Sequence, residues 1–489
     1  MKRLRYLEHV HLIPSLLRWL VLASLVAVLA GTASAFFLFA LDWATRTREA
    51  HRWLLWGLPL AGFVVGWVYL KLGREVEGGN NLLIDEIHDP KRMVPLRMAP
   101  LILGGTVVSH LFGASVGREG TAVQMGGALA DQLTERFKLR AEDRRLMLMA
   151  GISAGFASVF GTPLAGAVFG LEVLVIGSLR YDALWPCLVA AVVADQVTSA
   201  WGAHHTHYAV GALPPVSAWP LLAVVLAGML FGLVAMVFAT LTHAGQAFMK
   251  QRIAYAPLRP LVGGAVVALV IWGLDAWRYA GLGIPVIQEA FQQPLPATDF
   301  AAKLLLTAGS LASGFKGGEV TPLFFIGATL GNALAPMLDL PFPMLAGLGF
   351  VAVFAGASNT PIACTLMAME LFGAEIGVYA AVACGVSYLC SGHSGIYKSQ
   401  RVGLAKHPEL PAGGKLGDVP SWRERAALEA QEVQGAQGAH DASKAPNAPH
   451  AHDAHDAHHA HEAPTAPTWQ AEPIRSAPSA TEKTHSGQE

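Results

Sequence analysis

The sequence predicts an all-α polytopic membrane protein, and its composition and apolar runs support this fold class. Hydrophobic residues make up 53% of the 489 residues, whereas charged residues make up only 14%, well below the roughly 25% of an ordinary soluble domain. The net charge of −1 does not indicate the excess of basic residues that is typical of a nucleic-acid-binding protein. Several apolar runs approach or exceed the roughly 20 residues that cross a bilayer, namely Leu16–Leu41, Leu54–Leu70, Leu221–Leu241 and Leu261–Leu274.

The N-terminal segment resembles a secretory signal, because basic residues precede an apolar run that ends at Ala33-Ser34-Ala35. The run continues through Phe36–Phe39, which favours an uncleaved first membrane helix. The basic start predicts that residues 1–11 are cytoplasmic.

Three sets of residues recur in the same order about 200 positions apart. The segment beginning at Gly78 matches the one at Gly281, an offset of 281 − 78 = 203. Gly117, Glu119 and Thr121 match residues 317, 319 and 321, an offset of 200, and Thr162-Pro163 with Glu172 match residues 360, 361 and 370, an offset of 198. These matches predict two homologous halves, roughly 55–200 and 255–400, and leave parallel or inverted topology open.

The glycine and proline clusters at matching places predict interrupted helices, which mark the binding site of a transporter. A broken helix presents free N–H groups and a positive dipole end, so converging helix starts bind an anion. The segments Gly117-Arg118-Glu119-Gly120 and Gly318-Glu319-Val320-Thr321 suit this task. Close packing by small residues explains the glycines but not the carboxylates.

Glu119 is the first candidate for a gating and proton-transfer residue. Ionised, it can occupy an anion site; protonated, it can swing out and carry a proton. The alternative is a structural ion pair with Arg118. Glu319 is its repeat mate, for which a helix-capping role is the alternative. Glu172 and Glu370 are predicted to make structural hydrogen bonds in both halves.

Three further polar residues complete the candidate anion site. Asn80 and Asn81 lie in a glycine-rich break, where an amide either donates hydrogen bonds to an anion or caps a turn. Tyr397 ends the membrane part, where its phenol either reaches an anion or lies at the membrane interface.

The composition changes beyond residue 405. We predict a membrane domain at 12–405 and a disordered His/Ala/Pro-rich cytoplasmic tail at 406–489. Its histidine tract can bind divalent metal weakly, but a low-complexity linker is favoured, and no metal site or cofactor is predicted. The four cysteines, Cys187, Cys364, Cys384 and Cys390, show no CxxC spacing and are predicted to be core residues.

These motifs resemble those of the CLC family of chloride channels and anion/proton antiporters. Residues 117–120 resemble the gating-glutamate motif, and residues 318–322 resemble the second pore motif with Val320 in place of phenylalanine. Tyr397 stands where the family places its pore tyrosine. Asn80 replaces a serine, Glu319 replaces an apolar residue, and the inner proton glutamate, expected near Thr206, is missing from a stretch without acids between Gln196 and Leu274. These departures resemble the fluoride/proton antiporter branch.

The resemblance implies inverted halves with broken helices and a homodimer with one pore per subunit. It implies a fluoride/proton antiporter of a bacterial-type inner membrane with both termini cytoplasmic, rather than an enzyme. The anion would bind Asn80, Arg118, Gly120, Val320, Thr321 and Tyr397, while Glu119 and Glu319 would handle the proton. A chloride/proton antiporter or chloride channel is the alternative. A membrane-embedded hydrolase is a further alternative, but no Ser/His pair or set of metal ligands accompanies these acids in the repeats.

Overall fold

The computed structural model describes residues 8–206, 208–406 and 413–422. Its first half contains the helices α1 (Glu8–Ala50), α2 (Leu58–Leu72), α3 (Asn80–His88), α4 (Met98–Phe112), α5 (Glu119–Arg136), α6 (Ala141–Phe160), α7 (Pro163–Glu172) and α8 (Leu184–Ala200). The second half contains α9 (Ala218–Arg252), α10 (Leu258–Gly273), α11 (Ile284–Ala290), α12 (Asp299–Ser313), α13 (Val320–Leu338), α14 (Phe342–Ser358), α15 (Pro361–Phe372) and α16 (Gly377–Cys390). The short parallel strands β1 (Val175–Ile176) and β2 (Arg401–Val402) pair with each other.

Each helix of the first half has a counterpart in the second half, in the same order. The halves are longer than the sequence matches predicted, because α1 and α9 belong to them. The predicted continuous first helix is present: α1 runs unbroken past Ala35. The Ser158 hydroxyl donates to the Ser34 hydroxyl at 2.7 Å, and the Thr198 hydroxyl donates to the Gly31 carbonyl at 3.0 Å. The first helix is therefore packed into the fold.

Five helical stretches of the described chain are long and apolar enough to cross a membrane, namely Leu12–Ala50, Arg52–Leu72, Tyr181–Ala200, Ala218–Arg252 and Val320–Leu338. The predicted apolar run Leu261–Leu274 largely coincides with α10, which is a shorter helix of 16 residues. The chain is accordingly a multi-pass membrane protein, and its interrupted helices are short because each half breaks at its glycine and proline clusters.

Glycines allow the long helices to cross closely at matching places in both halves. A side-chain carbon on Gly126 of α5 would lie 2.2 Å from the Gly151 carbonyl oxygen of α6. The equivalent carbon on Gly327 of α13 would lie 2.0 Å from the Gly349 oxygen of α14. Such distances exclude any side chain, so these helix pairs pack backbone against backbone.

The matching segments of the two halves meet antiparallel, as inverted repeats do. Gly117 and Gly318 form an antiparallel backbone bridge. The carboxylate at the end of each short helix caps the start of its counterpart: Glu172 of α7 accepts N–H bonds from Ile362 and Ala363 at 3.0 and 2.8 Å. Glu370 of α15 accepts them from residues 164 and 165 at 2.8 and 2.9 Å. The structural role predicted for both acids is present.

Two predictions about the edges of the fold are wrong. The ordered domain does not end at residue 405, because residues 413–422 pack against it through Leu416 and Val419, which cluster with Ile176 and Val402. Leu416 and Val419 thus shield the apolar side chains of β1 and β2 from solvent. Cys390 is exposed rather than in the core, whereas Cys187, Cys364 and Cys384 are buried as predicted. The histidine tract lies outside the described residues.

Candidate anion site between the repeats

The two glycine-carboxylate motifs meet at the centre of the molecule. The N–H of Gly117 donates to the carbonyl of Gly318 at 2.6 Å, and the N–H of Gly318 donates back to Gly117 at 2.7 Å. A side-chain carbon on Gly318 would lie 2.8 Å from the Gly120 nitrogen. Glycine is therefore required here, because only a bare backbone lets the two helix starts come together.

The Glu119 carboxylate of the first half binds the helix start of the second half. The Thr321 N–H donates to Oε2 of Glu119 at 3.0 Å, and the Thr321 hydroxyl donates to Oε1. Glu119 is only 1% exposed. Since the first turn of a helix offers unpaired N–H groups and a positive dipole end, the carboxylate occupies a position where a free anion binds well.

Arg118 contacts the same carboxylate more loosely. Its backbone N–H donates to Oε2 of Glu119 at 3.2 Å, whereas its Nε lies 3.4 Å from Oε1 and has no hydrogen-bond partner in the part of the chain that the structure describes. The ion pair considered as an alternative role for Glu119 is therefore present, but the closer contacts of the carboxylate are with Thr321. Gly120 follows Glu119 in the first turn of α5 and leaves room for the amide of Asn80, whose nitrogen would lie 3.0 Å from a side-chain carbon there.

A cavity of about 870 Å³ opens beside this centre, and we call it the vestibule. Asn80, Asn81, Glu319 and Tyr397 line it. Val320 begins α13 and is buried. The structure thus brings together in one region all of the predicted site residues, namely Asn80, Arg118, Glu119, Gly120, Glu319, Val320, Thr321 and Tyr397.

The two asparagines have different surroundings. The Asn81 side-chain oxygen accepts the Ser399 N–H at 2.9 Å, so Asn81 holds the loop that carries Tyr397. The Asn80 side-chain oxygen is buried and has no hydrogen-bond partner among the described residues. Because an amide carries both an acceptor oxygen and a donor nitrogen, Asn80 keeps unused hydrogen-bonding capacity beside the site.

Tyr397 lies inside the protein rather than at the membrane interface, so the alternative role suggested for it is wrong. It is only 4% exposed. The buried side chain of Gln400 holds its loop by donating to the carbonyls of Val173 and Ser358 at 2.8 and 2.7 Å. The phenol is therefore fixed at the wall of the vestibule.

Basic side chains in the vestibule were missed from the sequence. The lining contains two acids, Glu77 and Glu319, and five basic residues, namely Arg74, Lys250, Arg259, Lys316 and Lys398. Nζ of Lys316 lies 4.0 Å from the centre of the Tyr69 ring, a cation–π contact that positions this basic side chain at the wall of the vestibule. A cavity with this excess of positive charge concentrates anions. Lys316 and Lys398 lie next to motifs that the sequence had already singled out, and this proximity could have identified them. No such feature in the sequence pointed to Lys250.

Thr206, the position expected for an inner proton acid, is not among the residues that line the vestibule. Thr206 follows α8, and the adjacent His205 packs on Gly161 at the end of α6.

Among residues 8–206, 208–406 and 413–422, no group of three or more His, Cys, Asp or Glu side chains is placed to hold a metal ion.

Residues 61–392 match the family model described as voltage gated chloride channel. The chain belongs to the CLC family. It is 62% identical over 433 residues to a chloride/fluoride channel protein of Pseudomonas syringae pv. tomato, covering 87% of this chain and 96% of that protein. A solved CLC-type fluoride/proton antiporter is 35% identical with a TM-score of 0.77, covering 80% of this chain and 99% of that one.

The CLC fold is also seen in a more distant solved structure. A slow cyanobacterial Cl⁻/H⁺ antiporter is 21% identical with a TM-score of 0.68, covering 76% of this chain and 94% of that one. At this identity the likeness concerns the fold. Together with the family model, these similarities confirm the CLC-type architecture of a membrane ion transporter.

Proposed function

We propose that this CLC protein is a fluoride/proton antiporter that exports fluoride from the cytoplasm in exchange for inward protons. The observation that carries the proposal is the Glu119 carboxylate bound by the N–H and hydroxyl of Thr321. A carboxylate held at an anion site competes with the transported anion. When protonated it loses its charge and leaves the site, so one side chain links anion and proton movement.

The remaining site residues support this cycle. An anion that replaces the Glu119 carboxylate meets the N–H groups around Gly120 and at Val320 and Thr321, with Asn80 and Tyr397 on the vestibule side. Fluoride is the smallest halide and the strongest hydrogen-bond acceptor among them, so this dense set of donors suits it. Glu319 lines the vestibule next to this set, where it can pass protons to and from the cytoplasmic solution.

The similar proteins favour fluoride over chloride as the transported ion. The protein with 62% identity is described as a chloride/fluoride channel protein, and the structural neighbour with 35% identity is a fluoride/proton antiporter. A chloride/proton antiporter or chloride channel is the alternative. We further propose a homodimer in a bacterial-type inner membrane, with both termini cytoplasmic, a pore in each subunit, and no enzymatic activity or resident cofactor.

The test uses purified protein in liposomes, with fluoride and proton movements recorded together. With no other ion gradient imposed, outward fluoride flow should drive protons inward. Chloride should move much more slowly than fluoride. Glu119→Gln keeps the size of the side chain but cannot ionise, so proton movement should stop. Glu77→Gln is the matched control, because Glu77 is an exposed acid of the same vestibule without contact to a helix start, and coupling should persist.

The proposal fails in distinguishable ways. Chloride flux equal to or above fluoride flux, with protons still coupled, supports the chloride antiporter. Anion flux without any proton movement in the unmodified protein supports a channel. Proton coupling that survives in Glu119→Gln removes Glu119 from the role proposed here.

A further inference from the structure

Three basic side chains converge in the interior at the end of the molecule remote from the vestibule. We call Arg48, His110 and Lys303 the distal basic cluster. Nη1 of Arg48 donates to the His110 carbonyl at 3.1 Å, and Nζ of Lys303 donates to the Gly281 carbonyl at 2.7 Å. A side-chain carbon on Gly281 would lie 2.2 Å from Nη1 of Arg48, so the guanidinium and the ammonium meet at this glycine.

The distal basic cluster is buried and is poor in counter-charge. Lys303 and His110 are 0% exposed and Arg48 is 7% exposed. Within the described residues, the single acid paired with Arg48 is Glu49, at 3.6 Å and mostly exposed. Asp299 lies one turn before Lys303 on α12, but its carboxylate is bound by Tyr279 at 2.7 Å and Arg278 at 3.1 Å. Buried charges normally carry a partner, because removing a charge from water is costly.

His110 contributes an unused polar atom. Its Nδ1 lies 2.8 Å from the Thr106 carbonyl, which can only accept, so Nδ1 carries the hydrogen. Its Nε2 is buried without a hydrogen-bond partner among the described residues. In this tautomer Nε2 is an acceptor, so the hydrogen-bond donors of the cluster are the side chains of Arg48 and Lys303.

The cluster lies across the protein from the vestibule. Gly113, beside Arg48 and Leu55, follows α4 on the side where α2 begins, whereas Gly66, Tyr69 and Leu70 near the end of α2 line the vestibule. Gly66 lies eight residues after the start of α2 at Leu58, a span of about 12 Å. The Thr106 hydroxyl lies 2.7 Å from that of Thr121 in the first turns of α5, so the cluster also adjoins the helix that carries Glu119.

The repeat relates this cluster to the vestibule. Arg48 lies two residues before the end of α1, and Lys250 of the vestibule lies two residues before the end of α9. The two basic residues therefore occupy equivalent positions in the repeat, because their separation, 250 − 48, equals that of the two helix ends, 252 − 50. Lys303 binds the carbonyls of Tyr279 and Gly281, in the segment that matches the Gly78–Asn81 segment of the vestibule. Related positions therefore supply positive charge at both ends of the pathway.

We propose that the distal basic cluster binds a small monovalent anion on the side of Glu119 opposite the vestibule. The anion supplies the counter-charge that the cluster lacks, and it is the same ion that the vestibule receives on the other face. This inference rests on anion transport by the chain, as proposed above, but not on fluoride selectivity or on proton coupling, so it can be tested with whichever halide moves.

The experiment measures the apparent KM for the halide on each face of oriented proteoliposomes. Ala256→Cys, in a Cys390→Ser background, places a thiol in the vestibule lining, and an impermeant thiol reagent then silences the molecules whose vestibule faces outward. Cys390→Ser alone, treated with the reagent, is the labelling control. Arg48→Met and Lys303→Met are compared with Lys250→Met, the matched change in the other half.

Arg48→Met and Lys303→Met should each raise the distal-face KM about tenfold, because a hydrogen bond to a charged group contributes about 1.5–3 kcal/mol. Their vestibule-face KM should not change, and Lys250→Met should show the reverse pattern. Lys303→Arg keeps the charge and should retain the distal-face KM, which a purely packing role does not predict.

Equal changes on both faces, or an unaltered distal-face KM in Arg48→Met, would overturn the proposal. If Lys303→Met is not recovered as folded protein by size-exclusion chromatography, Arg48→Met and Lys303→Arg still decide the question. A protein that transports chloride without protons would contradict the proposed function and leave this test intact.

Discussion

At the scale of single residues, the site depends on how Glu119 is held. Burying a carboxylate is unfavourable unless hydrogen bonds or charges compensate. Here the compensation comes from the N–H and hydroxyl of Thr321 across the repeat boundary, with a weaker contribution from Arg118 at 3.4 Å. A position stabilised by donors and a helix end, rather than by a tight ion pair, can exchange the carboxylate for a free anion.

We expect Thr321→Val to weaken the coupling of protons to anions. The change removes one hydrogen bond to the Glu119 carboxylate, a loss of about 1.5–3 kcal/mol, so the ionised side chain leaves the site more often and anions pass without a proton. Simultaneous recording of halide and proton flux should show fewer protons per anion. Thr321→Ser keeps the hydroxyl and should behave as the unmodified protein; a ratio that falls equally in both variants would contradict this role of the hydroxyl.

At the scale of the elements, the short helices α7 and α15 stabilise each other across the repeat boundary. Each begins with a proline, so the following two N–H groups have no acceptor within their own helix. Each also carries a glutamate in its last turn, where a negative charge is unfavourable next to the C-terminal end of its own helix. Glu172 and Glu370 satisfy the N–H groups of the opposite helix. These contacts form when the halves are assembled, so they tie the stability of each half to the other.

Glu172→Ala and Glu370→Ala should each lower the free energy of unfolding by about 2 kcal/mol or more, because two backbone N–H groups lose their acceptor in a low-dielectric interior. Thermal unfolding in detergent measures the effect. Glu375→Ala, at an exposed glutamate close to α15, is the control and should leave the unfolding temperature near that of the unmodified protein. A double variant as stable as the unmodified protein would show that the caps contribute nothing.

At the scale of the whole molecule, the segment 413–422 links the end of the chain to the vestibule. Lys415 Nζ lies 2.7 Å from Oδ1 of Asp85 on α3, the helix that begins with Asn80. The N–H of Gly417 donates to the Lys398 carbonyl at 2.9 Å, and that of Leu416 donates to Gln400 at 2.7 Å. The segment therefore supports the loop of Tyr397 through backbone hydrogen bonds.

Two truncations separate this support from the remainder of the tail. Deleting residues 423–489 retains all of these contacts, so halide transport and its sensitivity to added zinc should match those of the full chain. Deleting residues 413–489 removes the cover of Ile176 and Val402 and the support of the Tyr397 loop, so transport and unfolding temperature should both fall. Zinc-dependent transport that disappears with residues 423–489 would instead indicate a role for the histidine tract.

The sequence by itself determined the membrane class, the two-fold repeat and the two glycine-carboxylate motifs that meet between the halves. These are recorded in local properties, namely apolar length, glycine and proline breaks, and the spacing of matching motifs. Even the structural role of Glu172 and Glu370 could be predicted, because the same residue recurs at the same place in both halves.

The tertiary structure decided which groups meet across long separations in the chain. Glu119 lies 202 residues from the Thr321 that binds it, and Asp85 lies 330 residues from Lys415; local sequence carries no distance information over such spans. The same reason explains why the order of residues 413–422 was not predicted, and why the lysines of the vestibule and the distal basic cluster were not identified from the sequence. These basic residues become candidates for anion binding only because the packed halves place them around a cavity or among buried neighbours.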